Sequence, residues 1–203
     1  SAAYMAYGYA RSSGKPGMWS VVPGPGMLNA AGALCTAAGA NAPVMLLTGQ
    51  VPGEYLDRGR GHLHELPDQL ATLRSFIKWA GRIETAGAAP SMINQAFSQM
   101  MSGRQGPVAL EMCWDAMARE GAVDTGKFTP ANIEPAAEPD PDEIAAAAKI
   151  LAGARAPMIM VGGGAQHAGA EVLELAAMLG APVASFRPGR GSVPEARDTG
   201  RHR

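Results

Sequence analysis

Three stretches of this 203-residue sequence carry residues whose types and spacing suit chemistry. The first is Val21-Val22-Pro23-Gly24-Pro25-Gly26-Met27-Leu28-Asn29. Two glycines remove side chains where something must come close to the backbone, and two prolines stiffen the bend. The helix expected to follow offers unpaired N–H groups and a partial positive charge. The same residues also suit a purely structural turn. The second stretch is Gly49-Gln50-Val51-Pro52, followed by Asp57, Arg58, Arg60, His62, His64, Glu65 and Asp68. His64 and Glu65 are residue types used in acid–base work. Sequence neighbours seldom point the same way, however, so a solvated charged loop is the competing reading. His62 and His64 lack a third ligand at metal-binding spacing. The third stretch is Val161-Gly162-Gly163-Gly164-Ala165-Gln166-His167-Ala168-Gly169. It approaches a dinucleotide fingerprint but puts His167 where the third glycine belongs, and Ala170 and Glu171 stand where a phosphate loop needs Lys and Ser or Thr.

Each stretch follows an apolar run that reads as a strand. Residues 1–11 read as helix, 18–22 as a short buried strand, 27–38 as an Ala-rich helix and 44–48 as a second buried strand. A short helix is expected over 68–74, a strand over 78–83, a helix over 89–101 with Ile93, Ala96, Phe97 and Met100 on one face, and a strand over 108–112. Continuous apolar strands alternating with helices predict an α/β fold, with parallel sheets flanked by helices. Residues 120–140 lose periodicity and gather Pro and Glu, as a linker does. Asp140, Pro141 and Glu143 then open a new helix with a capping pattern. Strands over 157–161 and 182–186 flank a turn and a helix over 171–179. The expected organisation is a first domain over 1–119, a linker over 120–140 and a second unit over 141–203.

Composition narrows the function classes. A net charge of −1 with 5% aromatic residues gives neither the basic field nor the stacking surface that nucleic-acid binding needs. No apolar run is long enough to span a bilayer. Cys35 and Cys113 are far apart and read as small core residues in a reducing cytoplasm. The first residues look like the middle of a helix with no cap, and residues 197–203 break off in polar sequence. Truncation at both ends is therefore the expectation.

Taken in order, the motifs resemble one family, the thiamine diphosphate (ThDP) enzymes of the acetolactate synthase type. Residues 2–17, Ala-Ala-Tyr-Met-Ala-Tyr-Gly-Tyr-Ala-Arg-Ser-Ser-Gly-Lys-Pro-Gly, resemble its M-A-x-G-Y-A-R-x-x-G-x-x-G helix. Gly24 to Asn29 resembles its G-P-G-x-x-N, and Pro43 to Pro52 its P-x-x-x-x-T-G-Q-V-P. Lys78-Trp79 and the Ser102 to Val108 run follow, and Gly162 to Gly164 with Gly189 to Gly191 resemble landmarks of the central domain. The likeness covers the chain up to about Pro194.

The resemblance implies a pyrimidine-binding domain followed by the start of a Rossmann-like central domain. In that family a Glu hydrogen-bonds the cofactor's aminopyrimidine and promotes loss of the thiazolium C2 proton, which opens decarboxylation of a 2-oxo acid. That Glu would lie two residues upstream of Ser1, so no catalytic residue is expected in this chain, and the fragment alone is expected to be inactive. By carry-over, Gly24, Pro25, Asn29 and Gln50 contact ThDP. Mg²⁺ is expected with its ligands outside the chain. Gly162, Gly163 and Gly164 are the candidate contacts for FAD, and a non-catalytic nucleotide-binding module built on them is the alternative function. The partners implied are a small 2-oxo acid and further copies of the parent chain, as homodimer or homotetramer, with no nucleic acid and no membrane; the compartment is the cytoplasm. Where acetolactate synthases carry Phe-Gln-Glu, this sequence has Leu63-His64-Glu65 after a two-residue insertion, and Trp114 falls at or beside the family's Lys. Those differences point to a decarboxylase or carboligase with another substrate, with His64 as a possible substrate contact.

Overall fold

The computed structural model describes residues 1–127 and 131–194. They divide into two compact units at 137/138. In the first unit, α1 (Ala2–Ser13) leads into β1 (Gly17–Val21), α2 (Pro25–Gly39), β2 (Val44–Gln50), α3 (Gln69–Arg74), β3 (Trp79–Ile83), α4 (Ala89–Met101), β4 (Val108–Cys113) and α5 (Trp114–Ala118). The four strands form one parallel sheet in the order β1-β2-β4-β3. β4 is made last yet sits between β2 and β3, so both of its ladders are long-range in sequence.

Alternation along the strands sends side chains to two cores. On one face Leu46 and Ala109 pack with Met27 and Leu34 of α2, Leu73 of α3 and the small residues Ala3, Ala6 and Ala10 of α1. On the other, Met45, Val108 and Leu110 pack with Ala96 and Met100 of α4. Ile93 and Phe97 flank that second cluster, completing the predicted apolar face of α4. Burying each such Leu or Met contributes roughly 1.5–3 kcal/mol. α3 is fixed at its start by Asp68, whose carboxylate accepts the Ala71 N–H at 2.8 Å.

Several expectations are corrected. β1 is not wholly buried: Met18 is 53% exposed, because β1 is an edge strand. β2 and β4 run further than the sequence suggested, to Gln50 and Cys113, because the β2–β4 ladder continues through Gly49↔Met112 and Gln50↔Cys113. Cys35 is exposed on α2 while Cys113 is buried. Residues 132–134 are held to the end of α4: Ser98 donates to the Asn132 carbonyl at 2.7 Å and the Glu134 N–H donates to the Ser102 hydroxyl at 2.9 Å.

The second unit contains α6 (Pro141–Ala152), β5 (Ile159–Val161), α7 (Gly169–Leu179) and β6 (Val183–Ser185). Asp140 caps α6 through the Asp142 N–H at 2.9 Å. β5 and β6 pair in parallel over three residues each. Neither helix contains a buried residue. The end of the expected second unit, residues 195–203 with the polar tail over 197–203, lies outside the described residues.

Candidate functional site

The parallel ladders place the ends of β1, β2 and β4 side by side, with Val21 opposite Thr48 and Thr48 opposite Glu111. The segments that leave these ends share one sheet edge, the carboxyl edge where open α/β sheets place ligands. They enclose a cleft of about 260 Å³, lined by Pro23, by residues 49–52 and 62–64, and by Trp114 and Met117 of α5. Two of the sequence candidates, Gln50 and His64, line this cleft. Pro25 and Asn29 do not: they are exposed on the first turns of α2.

Gly24 is buried and adopts φ +57. A Cβ there would run into the His64 backbone carbonyl. The approach that this glycine permits is therefore that of the 62–65 loop. His64 is itself left-handed, at φ +69, as the third residue of a turn closed by the Glu65 N–H on the His62 carbonyl at 2.8 Å. A non-glycine residue there costs on the order of 1 kcal/mol.

The loop is organised by two carboxylates. Glu65 turns back and accepts the His62 N–H at 2.8 Å. That hydrogen bond is the main reason its pKa lies below the ordinary value. Glu65 therefore serves its own loop, and the adjacent His64–Glu65 pair is not a dyad. Asp115, on α5, accepts the Gly53 N–H at 2.9 Å and an Arg119 N–H at 2.8 Å. The Gly53 bond is likewise the leading cause of its lowered pKa. The two sides of the cleft are thus laced together.

Below the cleft lies a buried polar network that sequence reading missed. Gln69 is 1% exposed and Glu111 0%. Gln69 Oε1 accepts the Gly24 N–H at 2.9 Å. Its Nε2 donates to Glu111 Oε2 at 2.8 Å and to the Gly49 carbonyl at 3.1 Å. Gln50 Nε2 reaches Glu111 Oε2 at 3.3 Å, and Arg82 Nε reaches Glu111 Oε1 at 2.7 Å. Burial alone would lower the Arg82 pKa, but the hydrogen bond and charge of Glu111 more than offset it and the net shift is upward. Burial pushes the Cys113 thiol up, so it is not an activated nucleophile. A glutamate inside the otherwise apolar run Val108-Ala109-Leu110-Glu111-Met112 was the available signal, since such a group must be paired.

Among the described residues no His/Cys/Asp/Glu cluster is placed to hold a metal ion. Nor does any helix reach the length and apolarity needed to cross a membrane. In the second unit, Gly163 lies against Pro188, while Gly162 and Gly164 face open space. A single 3₁₀ turn, Gly163–Ala165, follows β5, and α7 starts only at Gly169. This is not the strand–glycine–helix geometry that cradles a dinucleotide.

The family model described as thiamine pyrophosphate enzyme, N-terminal TPP binding domain, matches residues 1–72, and the one described as thiamine pyrophosphate enzyme, central domain, matches residues 144–200. This chain belongs to the thiamine pyrophosphate enzyme family. Its relatives in the family include the protein named probable 2-ketoarginine decarboxylase AruI of Pseudomonas aeruginosa, 34% identical over 193 residues, covering 95% of this chain and 34% of the relative. The protein named probable acetolactate synthase large subunit of Methanocaldococcus jannaschii is 34% identical over 203 residues, covering 96% and 34%. An X-ray structure assigned to a thiamin diphosphate-dependent enzyme from Mycobacterium smegmatis superimposes with a TM-score of 0.75 at 31% identity, covering 96% of this chain and 37% of that one. The chain spans about a third of the length of the curated relatives it matches.

Proposed function

We propose that this chain supplies the aminopyrimidine side of a ThDP-dependent decarboxylase or carboligase acting on a 2-oxo acid, the remainder of the parent enzyme supplying the Glu and the Mg²⁺ site. The carrying observation is the convergence of residues 22–29, 49–52, 62–65 and 114–117 on one sheet edge in a member of this family. The start of α2 fits the cofactor's ring: the Asn29 amide and Pro25 are exposed there beside Val22 and Leu28, 54% and 46% exposed. An apolar face with an amide at its rim suits a flat heteroaromatic ring that carries hydrogen-bonding edges. ThDP, when bound, supplies the electron sink for decarboxylation. The chain's own residues would bind and orient. Pro25 and Asn29 would contact the ring, Gly24 and Gln50 would hold the backbone around it, and His64 would donate a hydrogen bond to the substrate carboxylate.

The lining also bears on the substrate. Among the residues that line the cleft there is no carboxylate, and Leu63, Trp114 and Met117 give it an apolar wall. That favours a 2-oxo acid with an uncharged apolar side chain over a guanidinium-bearing one such as 2-ketoarginine, because a cation would find no carboxylate in the lining itself. Where the parent enzyme also carries FAD, Gly162, Gly163 and Gly164 would be its contacts in the second unit. A homo-oligomeric parent in the cytoplasm completes the reading.

The test is calorimetry of ThDP with Mg²⁺ on the parent enzyme, followed by CO₂ release from a panel of 2-oxo acids. No ThDP binding would sink the cofactor assignment. Turnover of 2-ketoarginine in preference to 2-oxo acids with branched or aromatic side chains would sink the substrate class. The 203-residue chain by itself is expected to show only weak ThDP affinity and no turnover.

A further inference from the structure

We infer that Gln69 is a positioning residue, which locks the Gly24 loop to the carboxyl end of β2 and uses Glu111 as its anchor. The inference rests on the proposed placement of ThDP beside the Gly24 loop. The hydrogen-bonding demand at this point is unusual. The Gly24 N–H needs an acceptor, while the Gly49 carbonyl, which also accepts the Thr48 hydroxyl at 3.2 Å, and the buried Glu111 carboxylate each take a donor. The Gln69 side chain meets the three demands at 2.9, 3.1 and 2.8 Å while itself 1% exposed. A primary amide is the side-chain group that offers one acceptor and two donors in a plane. Glutamate would keep the bond to Gly24 but lose both donors and set a second carboxylate against Glu111. Asparagine, one methylene shorter, would not span the same three partners.

The anchor is itself fixed from two directions. Arg82, on β3, holds Glu111 Oε1 at 2.7 Å, and Gln50, at the end of β2, approaches Oε2 at 3.3 Å. The Gln50 Oε1 then accepts the Val51 N–H at 2.8 Å, at the point where the chain turns into the cleft wall. One carboxylate thus sets the relative position of the loop assigned to the cofactor and the backbone that lines the cleft. Gln69 does not line the cleft, so its effect on chemistry runs through Gly24 and Gly49.

The test uses Gln69→Asn and Gln69→Glu in the parent enzyme, with two readouts. Backbone hydrogen exchange of the segment containing Gly24 is expected to speed up by about tenfold or more, while exchange in α4 stays at the wild-type rate. ThDP affinity is expected to fall by about tenfold in Gln69→Asn, with the substrate KM changing less. Unchanged exchange around Gly24 in both variants overturns the inference, as does a ThDP affinity within twofold of wild type. If Gln69→Glu fails to fold, Gln69→Asn alone decides. Exchange that rises equally in α4 shows a general loss of packing and also overturns it. A wild-type parent that binds no ThDP is a different result: it defeats the cofactor reading, while the exchange experiment still reports on the lock.

Discussion

Two glycine-rich turns follow parallel strands in this molecule, and they are packed in different ways. The turn after β1 holds a buried Gly24 whose N–H is taken by Gln69 and whose missing side chain makes room for the His64 carbonyl. In the turn after β5, Gly162 and Gly164 face open space and no residue of α7 is buried. By local sequence the turn after β1 was the stronger signal and the turn after β5 the weaker, each a glycine run at a strand end. The difference lies in what comes back to meet the turn from elsewhere in the chain. After β1, residues 62–65 and Gln69 return to it, and Glu111 anchors Gln69 from below. In the second unit residues 186–189 return to the end of β5 through backbone: the Phe186 N–H donates to the Val161 carbonyl at 2.9 Å, buried Gly189 packs against Val161 and Gly162, and Gln166 Nε2 donates to the Pro188 carbonyl at 2.8 Å. A glycine run marks a possible approach, and distant polar groups decide whether the approach is used.

The contrast can be broken most directly at its anchor. Glu111→Leu removes the carboxylate and strands Arg82, Gln69 and Gln50, so the first unit is expected to lose about 3 kcal/mol in urea unfolding. The figure is at the low end for a buried ion pair because the Arg82 side chain is 25% exposed. A loss under about 1 kcal/mol would mean that the network does not hold the sheet edge together. Next, Gly24→Ala should cost about 2 kcal/mol from its left-handed backbone and the collision with His64, whereas Gly162→Ala should stay within about 0.5 kcal/mol of wild type. Equal costs at the two positions would erase the distinction between the turns.

His64→Gly is expected to act in the opposite direction. Glycine adopts φ +69 without strain, so the variant should gain about 0.5 kcal/mol after the entropy of its freer unfolded chain is counted. In the parent enzyme the same change should lower kcat/KM by roughly 10²-fold if the imidazole contacts substrate. Gained stability with unchanged kcat/KM would remove His64 from the mechanism. The smallest effect is one of pH. Because the folded Glu65 carboxyl has a lowered pKa, its contribution is complete above the unfolded value and is lost as pH falls through the folded one. Hydrogen exchange at residues 59–62 should therefore quicken selectively on acidification, after correction for intrinsic rates. Equal behaviour in Glu65→Gln would show that another group is responsible.

Local signals carried much of the fold. α4 was bounded correctly at Ala89 and Met101 by its apolar periodicity and the Ser-Gly that ends it. The start of α6 followed from Asp140 and Pro141. α5 escaped notice because five residues are too few to show a helical period. The strand order also lay beyond reach, since nothing in the apolar run of β4 says that it enters between β2 and β3. The site divides in the same way. Gln50 stood out because it ends a strand within a recognisable motif, and His64 because it replaces a family residue in the loop that follows. Gln69, Arg82 and Glu111 are ordinary residues whose importance comes from burial and from one another, which only the assembled sheet reveals.

The position of β4 has a consequence for the chain as it leaves the ribosome. β2 and β3 are both complete before β4 emerges, and they cannot take up their final spacing until β4 slides between them. Glu111 is on that late strand, so Gly24, Gln50, Gln69 and Arg82 are all synthesised before the group that fixes them exists. The sheet edge assigned to the cofactor should be the last part of this unit to become ordered. A nascent chain halted before residue 108 would expose the flank of β2, with its apolar Met45 and Leu46, to whatever strand or chaperone meets it first.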